Sequence, residues 1–255
     1  MNRKTILTLF IFLLFSSCTP IYVYEPALYH QDIAYMPKPT SFDSVKTSNY
    51  VTAGLGTYSG SNYNDQVISG EFNLSRGQAF NNFNLAYGVF GAFGDYENGA
   101  LQKNDPNFFT DKVFGDIGGR VSGNFFFNDG RADIRLIGFE AAYSHEFGPF
   151  ANFRQSVQNL SNYIVDPRTN LLTLGLTTEV IFHNVDNDDF QHGIRGFLGT
   201  TLGHSPVDES YDGDTFNVRF GHYVFPKASY FIKFKNYFGT LEAGNAIYVR
   251  FGLKF

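Results

Sequence analysis

Residues 245–255 read NAIYVRFGLKF, and in this stretch Ile247, Val249, Phe251, Leu253 and Phe255 are apolar at every second position. Ala246, Tyr248, Arg250, Gly252 and Lys254 fall between them. A period of two puts successive side chains on opposite faces of a strand, so one face here is apolar throughout and the other carries charge.

The same alternation recurs upstream. Val51, Ala53 and Leu55 alternate with Thr52, Gly54 and Gly56; Ile68, Phe72 and Leu74 alternate with Ser69, Glu71, Asn73 and Ser75. Phe83, Leu85, Tyr87, Val89 and Phe93 share a face, and Ile117, Val121 and Phe125 stand against Asp116, Arg120, Ser122 and Asn124. Between 132 and 147 the apolar positions change parity, from Ile134 and Leu136 to Phe139, Ala141 and Tyr143, which predicts a bulge near Leu136 or Ile137. Runs at 172–182, 194–202, 216–224 and 230–235 bring the total to about ten strands, each near the length a tilted strand needs to cross a membrane.

Composition agrees with many short strands. The chain holds Phe 30, Tyr 16 and Gly 26 with Trp 0, and no long apolar helix follows residue 18. Its net charge of -5 supplies no electrostatic footprint for nucleic acid.

Alternation alone does not say which face is inside; three features place the apolar face outward. Arg120, Glu140, Glu179, Arg195, Arg219, Lys233 and Arg250 lie on the polar face in mid-strand, where a narrow interior pairs them with one another. Connections alternate in length: 59–66, 94–112, 147–170, 203–214 and 238–245 are long, whereas 75–81, 128–131, 184–190 and 225–228 are short. Short periplasmic turns and longer external loops are the habit of outer-membrane barrels. The terminal run also resembles the C-terminal signature of outer-membrane β-barrel proteins, in which a final aromatic and alternating apolar residues are read by the barrel-assembly machinery. That resemblance implies an antiparallel up-and-down transmembrane β-barrel over 49–255, in contact with outer-membrane lipids and closed by pairing of its last strand with its first. An even strand count leaves both chain ends on the periplasmic side.

Residues 1–17 read as a signal peptide, with Arg3 and Lys4 ahead of an apolar run from Ile6 to Phe15 that is too short to span a bilayer. Phe15-Ser16-Ser17-Cys18 resembles the lipobox of bacterial lipoproteins, with phenylalanine where leucine is usual. The resemblance implies that Cys18, the only cysteine, is diacylated and becomes the mature N-terminus, its lipid in the inner leaflet if it stays beside the periplasmic turns. No cofactor beyond that lipid is expected.

Residues 18–48 interleave Pro20, Pro26, Pro37 and Pro39 with Tyr22, Tyr24, Tyr29 and Tyr35, a semi-rigid tether. It is longer than anchoring needs, and its uses are docking on a partner, plugging the barrel or folding back on the wall. In the loop 147–170, Phe150, Phe153, Val157 and Leu160 recur at helical spacing, and such a face either caps its own barrel or meets a neighbour. Asp43-Ser44-Val45 resembles a short O-glycosylation acceptor.

Catalytic constellations are weak. Outer-membrane lipid hydrolases need a serine and a histidine two apart on one lipid face, but Ser144-His145 and His204-Ser205 are adjacent and so point oppositely. Proteases of this class pair Asp-His with Asp-Asp at the outer rim; Asp212 and Asp214 fit half of that, with no matching Asp-x-His. The histidines lack metal-ligand spacing. The remaining expectation is a non-enzymatic accessory or structural subunit of a larger envelope complex, serving outer-membrane protein assembly, secretion or uptake. A lipid-modifying enzyme or protease and a narrow substrate-specific channel stand as alternatives.

Overall fold

Ten antiparallel strands close into one barrel in the computed structural model, which describes residues 21–62, 64–183, 189–203, 207 and 223–255. A short strand β1 (Tyr22–Tyr24) precedes the wall. The wall strands are β2 (Thr47–Ser59), β3 (Gln66–Ala79), β4 (Phe83–Glu97), β5 (Lys112–Asn128), β6 (Ala132–Phe147), β8 (Asn170–His183), β9 (Phe190–Thr201), β10 (Phe225–Phe234), β11 (Tyr237–Ala243) and β12 (Ala246–Lys254). Helix α1 (Pro149–Val157) and strand β7 (Tyr163–Val165) lie in the loop between β6 and β8. Neighbours pair in chain order around the wall, and β12 closes on β2 with Ala246 opposite Tyr58 and Lys254 opposite Tyr50.

Side-chain parity settles inside from outside. Ile247, Val249, Phe251, Leu253 and Phe255 are all exposed, as are Leu55, Phe93, Ile117, Phe125, Leu176 and Ile194 on other strands. Their neighbours of opposite parity, Glu71, Arg120, Glu140, Arg195 and Arg250, are buried. An apolar exterior around a charged interior is a transmembrane barrel, because only hydrocarbon makes the exposure of so many large apolar side chains favourable. No helix among the described residues is long and apolar enough to cross a membrane, so the crossing is made by strands.

The parity change in β6 is a register shift between Arg135 and Gly138, where Leu136 and Ile137 both face outward. Two consecutive outward residues are what one extra residue in a strand produces.

The C-terminal third differs from the sequence expectation. The run 216–224 lies mostly outside the described residues, and the expected turn 225–228 is instead the start of β10, paired with β9 from Phe225 opposite Gly199. Pro226 misleads because a proline normally ends a strand, yet here the β11 ladder begins only at Ala228, so the missing N–H is tolerated at the strand's open start. The expected loop 238–245 is mostly β11, joined to β12 through Gly244 and Asn245. At the end where β2 starts, the connections are 80–82, 129–131, 184–189 and 235–236; at the other end they are 60–65, 98–111, 148–169, 202–224 and 244–245, and the middle three of these are the long ones.

Glycine is required where the β6–α1 loop turns. Gly148 has φ 108 and ψ -173, a region essentially reserved for residues without Cβ, and it frees Pro149 to open the helix.

Candidate functional site

The lumen is the place where function is concentrated, and it is not empty. Residues 31–40 are buried without interruption, because the chain before β2 runs up the inside of the barrel. Its contacts climb the wall in order. At the short-turn end, Ser41 N–H donates to Asp133 Oδ2 at 2.7 Å, and Arg135 donates to the Pro39 carbonyl at 3.3 Å. Higher up, Lys38 Nζ donates to Ser122 Oγ at 2.6 Å, Tyr35 N–H to Glu242 Oε1 at 2.7 Å, and Lys227 Nζ to the Ile33 carbonyl at 2.8 Å. Arg120 Nε donates to the Asp32 carbonyl at 2.5 Å, and at the long-loop end Ala27 N–H donates to Glu146 Oε2 at 2.5 Å. The fit leaves little slack: a Cβ at Gly77 on β3 would stand 2.9 Å from Pro39 Cδ and 3.0 Å from the Pro37 carbonyl.

Around this plug the wall charges form a linked network. Arg250 donates to Glu71 Oε2 at 2.9 Å and to Glu242; Arg120 pairs with Glu71; Arg195 pairs with Glu140 and stands 3.7 Å from Glu242. Arg135 pairs with Glu179 at 2.6 Å, and Ser122 Oγ joins the plug to Glu140 at 3.1 Å. Charges taken out of water stand only when paired and hydrogen-bonded, which is what these strands supply. Asp116 is the exception, 1% exposed with neither carboxylate oxygen bonded among the described residues.

Aromatic packing closes the long-loop mouth. Phe150 and Phe153 of α1 lie against Tyr96, Tyr24 and Phe109, with Phe150 stacked on Tyr96 at 4.1 Å and Tyr24 edge-on to Phe153 at 5.2 Å. Strand β1 pairs in parallel with β7, Tyr22 opposite Tyr163 and Tyr24 opposite Val165. The Asn62 side chain clamps the same strand, accepting from Val23 N–H at 2.9 Å and donating to the Val23 carbonyl at 2.8 Å. Arg154 of α1 ties the cap to the wall through Glu146 at 2.6 Å.

Of the residues read from the sequence as interior charges, Arg120, Glu140, Glu179, Arg195 and Arg250 meet in this network, Lys233 sits at the short-turn rim, and Arg219 lies outside the described residues. Cys18 also lies outside them. Of the residues read as possible partner contacts, Tyr24, Tyr35, Phe150, Phe153 and Val157 are buried in the protein's own plug and cap, the alternative the sequence also offered, Tyr22 and Tyr29 are half-buried, and Leu160 is exposed. A barrel ten strands wide has room for these rings in its lumen and mouth. Sequence reading missed Glu71, Arg135, Glu146, Arg154 and Glu242. Glu71 and Arg135 share the inward parity that marked the others, whereas Glu242 was hidden by the loop assigned to 238–245. Ser144 faces the lumen near Asp32 at 3.5 Å, while His145 points outward to Asn170 at 2.9 Å, so the two do not meet. Asp212, Asp214, His204 and Ser205 lie outside the described residues.

The plug is pinned at the short-turn rim by Asp43, held by Lys233 at 2.6 Å and Lys254 at 3.3 Å. Burial alone would raise its pKa, but Lys233, the Thr40 N–H and Lys254 outweigh burial and bring it from an ordinary 3.8 down to about 2. A depressed carboxylate contributes stability that is complete above its unfolded pKa and lost as pH falls through its folded one. Asp43→Asn is therefore expected to lower the urea midpoint for plug release at pH 7 by an amount equivalent to about 2 kcal/mol, with the difference from the parent shrinking below pH 4 and gone only below pH 2. An equal deficit at both pH values would refute the rim pairing.

Strand closure, apolar exterior and occupied lumen define a plugged transmembrane β-barrel. No protein-family model and no curated protein sequence matches the chain. Among solved structures, it is similar to the transport unit of the autotransporter AIDA-I from Escherichia coli, with TM-score 0.38 and 9% identity, covering 87% of this chain and 93% of that chain. The assignment to the barrel class stands on the strand pairing described above.

Proposed function

We propose that the chain is an outer-membrane barrel lipoprotein, anchored through Cys18, that acts without catalysis as an accessory or structural subunit of an envelope complex for outer-membrane protein assembly, secretion or uptake. The observation that carries this reading is the occupied lumen. Ten consecutive buried residues of the chain itself stand where a solute would pass, so what the barrel offers to other molecules is its wall, its rims and its N-terminal extension. A narrow barrel fixed in the bilayer by its strands needs no lipid to stay there; a second attachment makes sense when a segment must be held near something larger. The outward C-terminal positions Ile247 to Phe255 support recognition by the barrel-assembly machinery.

The test is extraction from native membranes in mild detergent, with crosslinking beforehand. A larger outer-membrane protein recovered in constant stoichiometry is the expected result. A monomer, with no crosslinked partner in cells, would refute the proposal.

A further inference from the structure

The plug has a direction, and it runs the opposite way from a simple tether. Thr47 begins β2 at the short-turn end, where β12 also finishes at Lys254. From there the preceding residues pass Asp133, Ser122, Glu242, Arg120 and Glu146 in rising order, and β1 finally pairs with β7 inside the loop between β6 and β8. Ile21, 61% exposed, therefore emerges at the long-loop mouth. Short turns face the periplasm and long loops face outward in barrels of this type.

We infer that the N-terminal segment is threaded through the barrel, so that the chain preceding Ile21 is presented at the external face of the membrane. The sequence expectation of an N-terminus beside the periplasmic turns is thereby reversed. For the lipid anchor, the consequence rests on the lipoprotein reading. Cys18 is three residues from Ile21, which at about 3.5 Å per residue is roughly 10 Å of chain. The hydrocarbon core is about 30 Å thick, so acyl chains on Cys18 enter the outer leaflet and not the inner one.

Threading also orders assembly. A diacylated end is too bulky and too apolar to be drawn through a closed lumen lined by Glu71, Glu140, Arg195 and Arg250. The plug must be in place while β12 and β2 are still apart, and their pairing then encloses it.

Single cysteines read the topology directly. Ile21→Cys and Ser44→Cys are exposed positions at opposite ends of the plug. Each is labelled with a membrane-impermeant maleimide in intact cells and again after outer-membrane permeabilisation, with heat-modifiable gel mobility confirming a closed barrel. Ile21→Cys is expected to label fully before permeabilisation and Ser44→Cys only after it. Labelling of Ile21→Cys only after permeabilisation would overturn the inference. An epitope inserted between Pro20 and Ile21 gives the second reading: antibody binding to intact cells supports threading, and binding only to permeabilised cells refutes it. The parent chain separates the two claims. Labelling of Cys18 itself in intact cells would remove the lipid while leaving the threading in place.

Discussion

Arg250→Met is expected to destabilise the barrel by about 3–5 kcal/mol, the cost of stripping one partner from a buried ionic cluster. Arg250 is 1% exposed and bonds Glu71 and Glu242 at once. Without it, Glu242 keeps the Tyr35 N–H, Ser229 and a distant Arg195, and Glu71 keeps only Arg120 among its charge partners. Methionine fills similar volume, so the loss is electrostatic rather than a cavity. The measurement is the urea midpoint for loss of the heat-resistant compact form in detergent micelles. Adding Glu242→Gln to Arg250→Met neutralises the carboxylate left under-paired, while Glu71 and Arg120 still hold each other, and is expected to restore much of the midpoint. A single variant that unfolds at the parent's urea concentration would show that the cluster carries no net stability.

Deletion of residues 21–46 is expected to convert a silent barrel into a conducting one. A barrel of about eight strands has an interior filled by its own side chains, and ten strands leave more room than that. The plug occupies the difference, and with it gone, water and ions reach a lumen lined by Arg120, Glu140, Arg195 and Arg250. In planar bilayers the full chain should give no current steps and the deletion discrete ones. Should the deletion fail to close, Gly77→Val supplies the same test, because its side chain collides with Pro37 and Pro39 and expels the lower half of the plug. A closed, plug-free barrel that stays silent would mean that the wall charges collapse inward and seal the lumen unaided.

Much of the wall was legible from residue order. In β3, β5 and β12 the side chains that the alternation assigned to lipid or lumen lie there, and the parity change at Leu136 and Ile137 located the bulge. Of the hairpin β10–β11, only the run from Tyr230 to Phe234 was legible. Its run from Phe225 contains a proline, its partner strand Tyr237–Ala243 is short, and 216–224 shows an equally good alternation. Period two says that a segment fits a pleated wall, and it is silent on which neighbour the segment pairs with.

The lumen was harder still. Arg120 and Arg250 could be placed inside from parity, yet their meeting through Glu71 depends on strands β3, β5 and β12 being brought together by closure.

By itself the sequence determined which faces meet lipid, because that choice is local: each strand carries its own two-residue repeat, and hydrocarbon rewards the apolar side of it wherever the strand sits. Only the tertiary structure decided where residues 21–46 go. That segment has no repeat, and its burial comes from hydrogen bonds and charges contributed by β5, β6, β10 and β11, which share no local pattern and converge only once the wall has curved around it.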